Sequence, residues 1–133
     1  MALTRNEQLV MDFFEALGNN DLEKVRKMFH KNATWTVMPS SIPGAGEHKG
    51  RDAIIDKFIA PIRATFEAGG PQLEVRTLIG KGPLVLAEAV GRGRFKNGKD
   101  YLNNYAWAFE IKGTRINALR EYMDSHYVMG LQD

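Results

Sequence analysis

The hydrophobic pattern of this chain changes period once, near Pro71, and that change limits the folds open to it. Before Pro71, apolar residues recur at helical spacing. Val10, Phe13, Phe14 and Leu17 form one stripe, Leu22, Val25, Met28 and Phe29 a second, and Ile54, Ile55, Phe58, Ile59 and Ile62 a third. After Pro71 the period is two, over four runs: Gln72–Ile79, Leu84–Phe95, Tyr101–Ile111 and Arg115–Val128. The connectors are short and rich in turn residues: Gly80-Lys81-Gly82-Pro83, Lys96-Asn97-Gly98-Lys99 and Lys112-Gly113-Thr114. Long alternating runs with short connectors predict antiparallel hairpins. Helices segregated ahead of a meander of strands predict an α+β domain. The expected architecture is a bent antiparallel sheet wrapped around three N-terminal helices, with a pocket between them.

Local signals set the element ends. Thr4 and Glu7 have capping-box spacing, so the first helix starts there and stops at Gly18. Asn20 or Asp21 caps the second helix. Ala33–Met38 reads as a short strand with Trp35 and Val37 on one face, ended by Pro39. Ser40–Gly50 holds two serines, a proline and three glycines and reads as a long loop. Pro61 falls inside the third helical pattern and is expected to kink or end it.

Composition narrows the chemistry. The 133 residues, 15.0 kDa, make one domain spanning 1–133. There is no cysteine, which excludes disulfides, thiolate metal sites and thiol nucleophiles. Lys plus Arg total 18 and Asp plus Glu 16, a formal charge of +2. Arg92, Arg94, Lys96 and Lys99 are interrupted by glycines and read as a solvated hairpin end, so no nucleic-acid partner is expected. No apolar run approaches the roughly 20 residues of a membrane helix, and MALTRNEQLV lacks a signal-peptide core. A soluble cytoplasmic protein with no membrane partner is the expectation. Gly44–Gly50 has the wrong spacing for a dinucleotide loop. No cofactor and no metal are expected.

Parity sorts the strands into two faces. The odd positions are Leu73, Val75, Thr77 and Ile79; Val85, Ala87, Ala89, Gly91 and Gly93; Tyr101, Asn103, Tyr105, Trp107, Phe109 and Ile111; and Leu119, Glu121 and Met123. This set is apolar and is assigned to the helix-facing side, where small residues opposite aromatics leave space for a pocket. Glu121, Asn103 and the Tyr105 phenol are out of place in a plain core. A desolvated Glu121 has a raised pKa and serves as an acid or base near neutral pH. A buried glutamate satisfied by Asn103 or a tyrosine is the plainer alternative. Trp35, Trp107, Phe13, Met123, Leu119 and Val37 would shape the apolar walls. On the other parity, Arg120, Tyr122, Asp124 and His126 read as a solvated or dimer-forming face, with Asp124 and His126 as the alternative acid–base pair. Glu121, Asp124 and His126 make a weak metal set. His48 reads as an exposed loop histidine, and His30 as a partner of the second helix's carbonyl end.

The order of elements, with Asn20-Asp21-Leu22, Ala33-Thr34-Trp35, Gly50-Arg51-Asp52-Ala53-Ile54 and Arg120-Glu121-Tyr122-Met123-Asp124, resembles the SnoaL-like branch of the nuclear transport factor 2-like superfamily. The resemblance covers nearly the whole chain and implies a cone-shaped, cystatin-like fold and a homodimer. That fold hosts isomerases, cyclases, hydrolases and binding domains, so it does not fix the function. Limonene-epoxide hydrolases are similar around Trp35–Pro39 and Leu119–Tyr122. Their arginine and second aspartate positions fall on Ala89 and Gly91, and their tyrosine and asparagine on Trp35 and Val37. The helix-one tyrosine of ketosteroid isomerases falls on Phe13. Polyketide cyclases of the SnoaL type are the least contradicted branch, and their single carboxylate matches either Glu121 or Asp124. The resemblance therefore implies acid–base chemistry on an apolar cyclic or polyketide-like molecule, or a non-catalytic ligand-binding or dimeric interaction domain.

Overall fold

The computed structural model describes residues 2–132. The chain runs through α1 (Arg5–Gly18), α2 (Leu22–Met28), β1 (Phe29–Val37) and β2 (Gly46–Lys49). The third helix, α3, follows in three segments: α-helical Arg51–Ala53, π-helical Ile54–Ile59 and α-helical Ala60–Arg63. A 3₁₀ turn (Glu67–Gly69) leads to β3 (Gln72–Lys81), β4 (Leu84–Arg94), β5 (Asp100–Lys112) and β6 (Arg115–Met123), and the chain closes with α4 (Ser125–Gly130).

The helix starts follow local chemistry. Thr4 Oγ1 accepts from Glu7 N at 3.1 Å while Thr4 N donates to the Glu7 carboxylate at 2.9 Å, a complete capping box. Asp21 caps α2, accepting from Lys24 N at 3.3 Å. Pro61 does not end α3. It lacks the N–H that would bond the Lys57 carbonyl, and the ladder ahead of it loosens into a π segment in which Ala60 N donates to Ile55 O. Arg26 of α2 reaches Asp52 at 2.8 Å and Asp56 at 2.6 Å, tying α2 to α3.

Six strands form one curved sheet in the order β2-β1-β6-β5-β4-β3. Neighbours are antiparallel except β1 and β6, so the sheet is mixed where purely antiparallel pairing was expected. The β5–β6 hairpin lays β6 beside β1 in the same direction. Parity holds across the centre: Tyr105 lies opposite Ala89 and Met123, and Trp107 opposite Ala87 and Glu121. Phe13 sits at the middle of the core, its ring 5.3–6.3 Å from those of Phe14, Phe29, Trp35, Trp107 and Phe109. Such edge-on ring packing adds to the burial of apolar area.

Several expectations are corrected. The strand predicted from Ala33 begins at Phe29, and His30 lies in it, its ring nitrogen 2.7 Å from the Lys112 carbonyl and not at a helix end. The predicted loop 40–50 contains β2, which pairs with β1, and His48 sits there half-buried. A register shift between Val75 and Thr77 reverses parity in β3, so Leu78 faces inward while Thr77 and Ile79 are exposed. The last strand stops at Met123, and Asp124 and His126 belong to the α4 turn. The β4 glycines do not line a void. A Cβ on Gly91 would fall 2.9 Å from Tyr105 Cε2, and one on Gly93 would fall 3.0 Å from Pro71 Cα.

Candidate functional site

Between the concave sheet face, α3 and the C-terminal segment lies a cavity of about 500 Å³. Its floor is Trp35 and Val37 from β1, Tyr105 and Trp107 from β5, and Glu121 and Met123 from β6. Phe58, Ile59, Ile62 and Arg63 supply the α3 wall. Ile42 and Pro43 form a lip. That lip is pinned where His48 stacks on Phe58, ring centroids 3.8 Å apart, and its ring nitrogen meets the Gly44 carbonyl at 2.7 Å. Val128 and Leu131 stand at the other side.

Six of the residues singled out in the sequence line this cavity: Trp35, Val37, Tyr105, Trp107, Glu121 and Met123. The other four do not. Phe13 and Leu119 are wholly buried beneath the floor. Asn103 is buried, donating to the Tyr101 hydroxyl at 3.1 Å and to the Asp124 carbonyl at 3.4 Å, and is not hydrogen-bonded to Glu121. Asp124 is exposed, and its carboxylate caps α4 by accepting from Tyr127 N at 3.1 Å. Among the described residues no group of His, Asp and Glu is placed to hold a metal ion, so Glu121, Asp124 and His126 do not converge.

Glu121 is the acidic group of the cavity. Trp35 Nε1 donates to its Oε1 at 2.8 Å. Burial pushes its carboxyl up to about 7, with the Trp35 bond pulling weakly the other way. Among the described residues the one fully buried side-chain polar atom without a partner is Trp107 Nε1. Glu121 Oε2, which has no hydrogen-bond partner either, therefore keeps surface toward the cavity. Tyr105 and Tyr101 share a short hydroxyl–hydroxyl bond. Burial raises both phenols, and the neighbouring Glu121 charge raises them further. Both are neutral donors at ordinary pH.

Two functional candidates escaped the sequence reading. Tyr101 was visible only as an inward odd position. Arg63 was not singled out, although it stands four residues after Ile59 on the same helical stripe. Its guanidinium is buried and lines the cavity. Nε donates to Asn20 Oδ1 at 3.3 Å and Nη2 to the Pro71 carbonyl at 3.2 Å. Burial lowers its pKa to about 10.

No curated protein matches the chain. Solved structures share its fold. A protein of unknown function from Burkholderia pseudomallei, described as nuclear transport factor 2-like, superposes with a TM-score of 0.85 at 20% identity, over 97% of this chain and 98% of that one. TerC, crystallised with polyporic acid, gives 0.83 at 15% identity over 96% and 98%. An epoxide hydrolase from M. tuberculosis gives 0.77 at 17% identity over 95% and 87%. At these identities the likeness establishes the fold: α+β, with helices packed on an open curved sheet. Among the described residues no helix is long and apolar enough to cross a membrane. The SnoaL-like domain profile matches residues 10–119, most of the sequence, and the chain therefore belongs to the SnoaL-like domain family.

Proposed function

We propose that this protein is a cofactor-independent enzyme that moves a proton on an apolar, cyclic or polyketide-like small molecule, with Glu121 as general acid/base. The observation that carries the reading is the Glu121 carboxyl on an apolar cavity floor, with one oxygen held by Trp35 and the other without a partner. A group poised near pH 7 both takes and returns a proton at useful rates. Tyr105 is the matching donor. Asn103 donates to the Tyr101 oxygen, and Tyr101 and Tyr105 share a hydroxyl–hydroxyl bond in which either can donate; with Tyr101 as the donor, the Tyr105 hydrogen is free for a substrate oxygen. Asn103 then acts as a positioning residue through Tyr101. Trp35, Val37, Trp107 and Met123 supply the apolar contact that excludes water. Phe13 and Leu119 support them from below, and Asp124 has no part in the chemistry.

Proton transfer is favoured over the epoxide-hydrolase mechanism because Ala89 and Gly91 bring no charged partner beside Glu121. A non-catalytic binding domain would use the same cavity without needing the free carboxylate oxygen.

The test is a panel of β-keto esters, cyclic enones and apolar epoxides, with products followed by mass spectrometry. For a compound that is turned over, Glu121→Gln is expected to reduce kcat by about 10²–10⁴-fold with unfolding still cooperative. Unchanged turnover in Glu121→Gln, or no turnover across the panel, would remove the acid–base reading.

A further inference from the structure

Among the described residues, Arg63 is a buried cation without an ion-pair partner. None of the ion pairs among the described residues includes it, and two hydrogen bonds commit only two of its five N–H donors. Among the described residues Nη1 has no partner, yet it is not among the fully buried unpartnered atoms, so it keeps some exposed surface, and Arg63 is a lining residue of the cavity. The backbone is built around this side chain. Gly70 has φ +129°, and a Cβ there would lie 2.4 Å from Arg63 Cζ. Gly69 makes the same room for Asn20, where a Cβ would lie 2.5 Å from Nδ2. Asn20 itself takes φ 57° to present its Oδ1. A side chain needed only as a staple between α3 and the following turn would not require a charge, and a buried unpaired charge is costly. Arg63, Tyr105 and Glu121 all line the cavity, and the phenol lies within electrostatic reach of both charged groups.

We propose that Arg63 forms an anion subsite in this cavity, which takes an apolar ligand bearing a carboxylate and orients the rest of that ligand along Tyr105 toward Glu121. The subsite deepens the enzymatic reading by giving the substrate an acidic end, and it rests on the same cavity being the ligand site. Charge-assisted contacts from a guanidinium fixed on two sides give both affinity and orientation.

Calorimetric titration with two unreactive probes tests it: 2-naphthoate and its neutral methyl ester. At pH 6 the naphthoate is ionised, its carboxyl having a pKa of about 4, and Glu121 is mostly neutral. Wild-type protein is expected to bind naphthoate at least about 10-fold more tightly than the ester. Arg63→Met is expected to lose that preference while keeping ester affinity, and Arg63→Lys to retain part of it. The wild-type comparison stands alone if Arg63→Met fails to fold. Ester bound as tightly as naphthoate, binding of neither, or an undiminished preference in folded Arg63→Met overturns the subsite. Neither probe reacts, so this result is independent of the Glu121→Gln turnover result, and either idea can fail while the other stands.

Discussion

Glu121 works against the stability of the fold that holds it. In the unfolded chain its carboxyl titrates near the ordinary 4.5, and in the folded chain near 7. Below pH 4.5 both states are neutral and the group costs nothing. Between those values the unfolded state releases its proton first, so stability falls as pH rises, and above 7 the loss is constant. The gap corresponds to about 3 kcal/mol. Gln at this position keeps an acceptor for Trp35 Nε1 and nearly the same volume while removing the titration. Urea denaturation at pH 5 and pH 8 is therefore expected to show Glu121→Gln more stable than wild type at pH 8, by up to about 3 kcal/mol, with a much smaller gap at pH 5. An equal gap at both values would mean that the carboxylate is solvated in the folded protein. The partnerless Trp107 N–H on the same floor adds a second cost, of about 1–3 kcal/mol for a buried donor. Stability given up at one patch of an otherwise well-packed core is the usual mark of a working site.

At the scale of elements, α4 decides which carboxylate matters. Asp124 caps it, and Tyr127 from its first turn reaches back to β5, accepting from Leu102 N at 3.0 Å and donating to the Asp100 carbonyl at 3.3 Å. Those bonds lay α4 beside the cavity and place Val128 and Leu131 at its wall. Asn caps a helix as well as Asp does, so Asp124→Asn is expected to keep both stability and turnover, and Asp124→Ala to lose about 1 kcal/mol in stability. A loss of kcat in Asp124→Asn as large as that in Glu121→Gln would transfer the acid–base role to Asp124. The sequence ran β6 through to Val128 because Leu119, Glu121 and Met123 alternate and nothing apolar interrupts them. Asp124 has no glutamate three residues on to complete a capping box. β2 was hidden for a related reason: the three polar residues Glu47, His48 and Lys49 between glycines carry no alternation, and pairing with β1 alone makes them a strand. Arg63 was missed because a charged residue is not counted in an apolar stripe, although its spacing from Ile59 was legible.

Across the whole molecule, parity brings the β5 and β6 floor residues to one face because those strands pair without a slip from Tyr105–Met123 to Glu110–Ala118. The Trp35–Glu121 bond, 86 residues apart in sequence, came only from the parallel β1–β6 pairing, which no hairpin signal announces. The same long strands leave the other face of the sheet uncovered by helices. Leu86, Leu102 and Tyr122 are exposed there, and Ala106 lies between Glu88 and Tyr122 in the register, with the Glu110–Arg120 ion pair toward one end of the face. Exposed apolar side chains interspersed with charges such as Glu88 fit a two-fold contact in which the same patch meets itself. We expect a homodimer through this face. Sedimentation at micromolar concentration should give a dimer for the wild type. Ala106→Arg, which puts a long cation at the centre of the patch without touching the core side, should give a folded monomer. A wild-type monomer, or an undisturbed dimer in Ala106→Arg, would place any association elsewhere. Because the cavity opens on the opposite face of the sheet, the monomeric variant should bind the naphthoate probe as the wild type does, which separates assembly from the site.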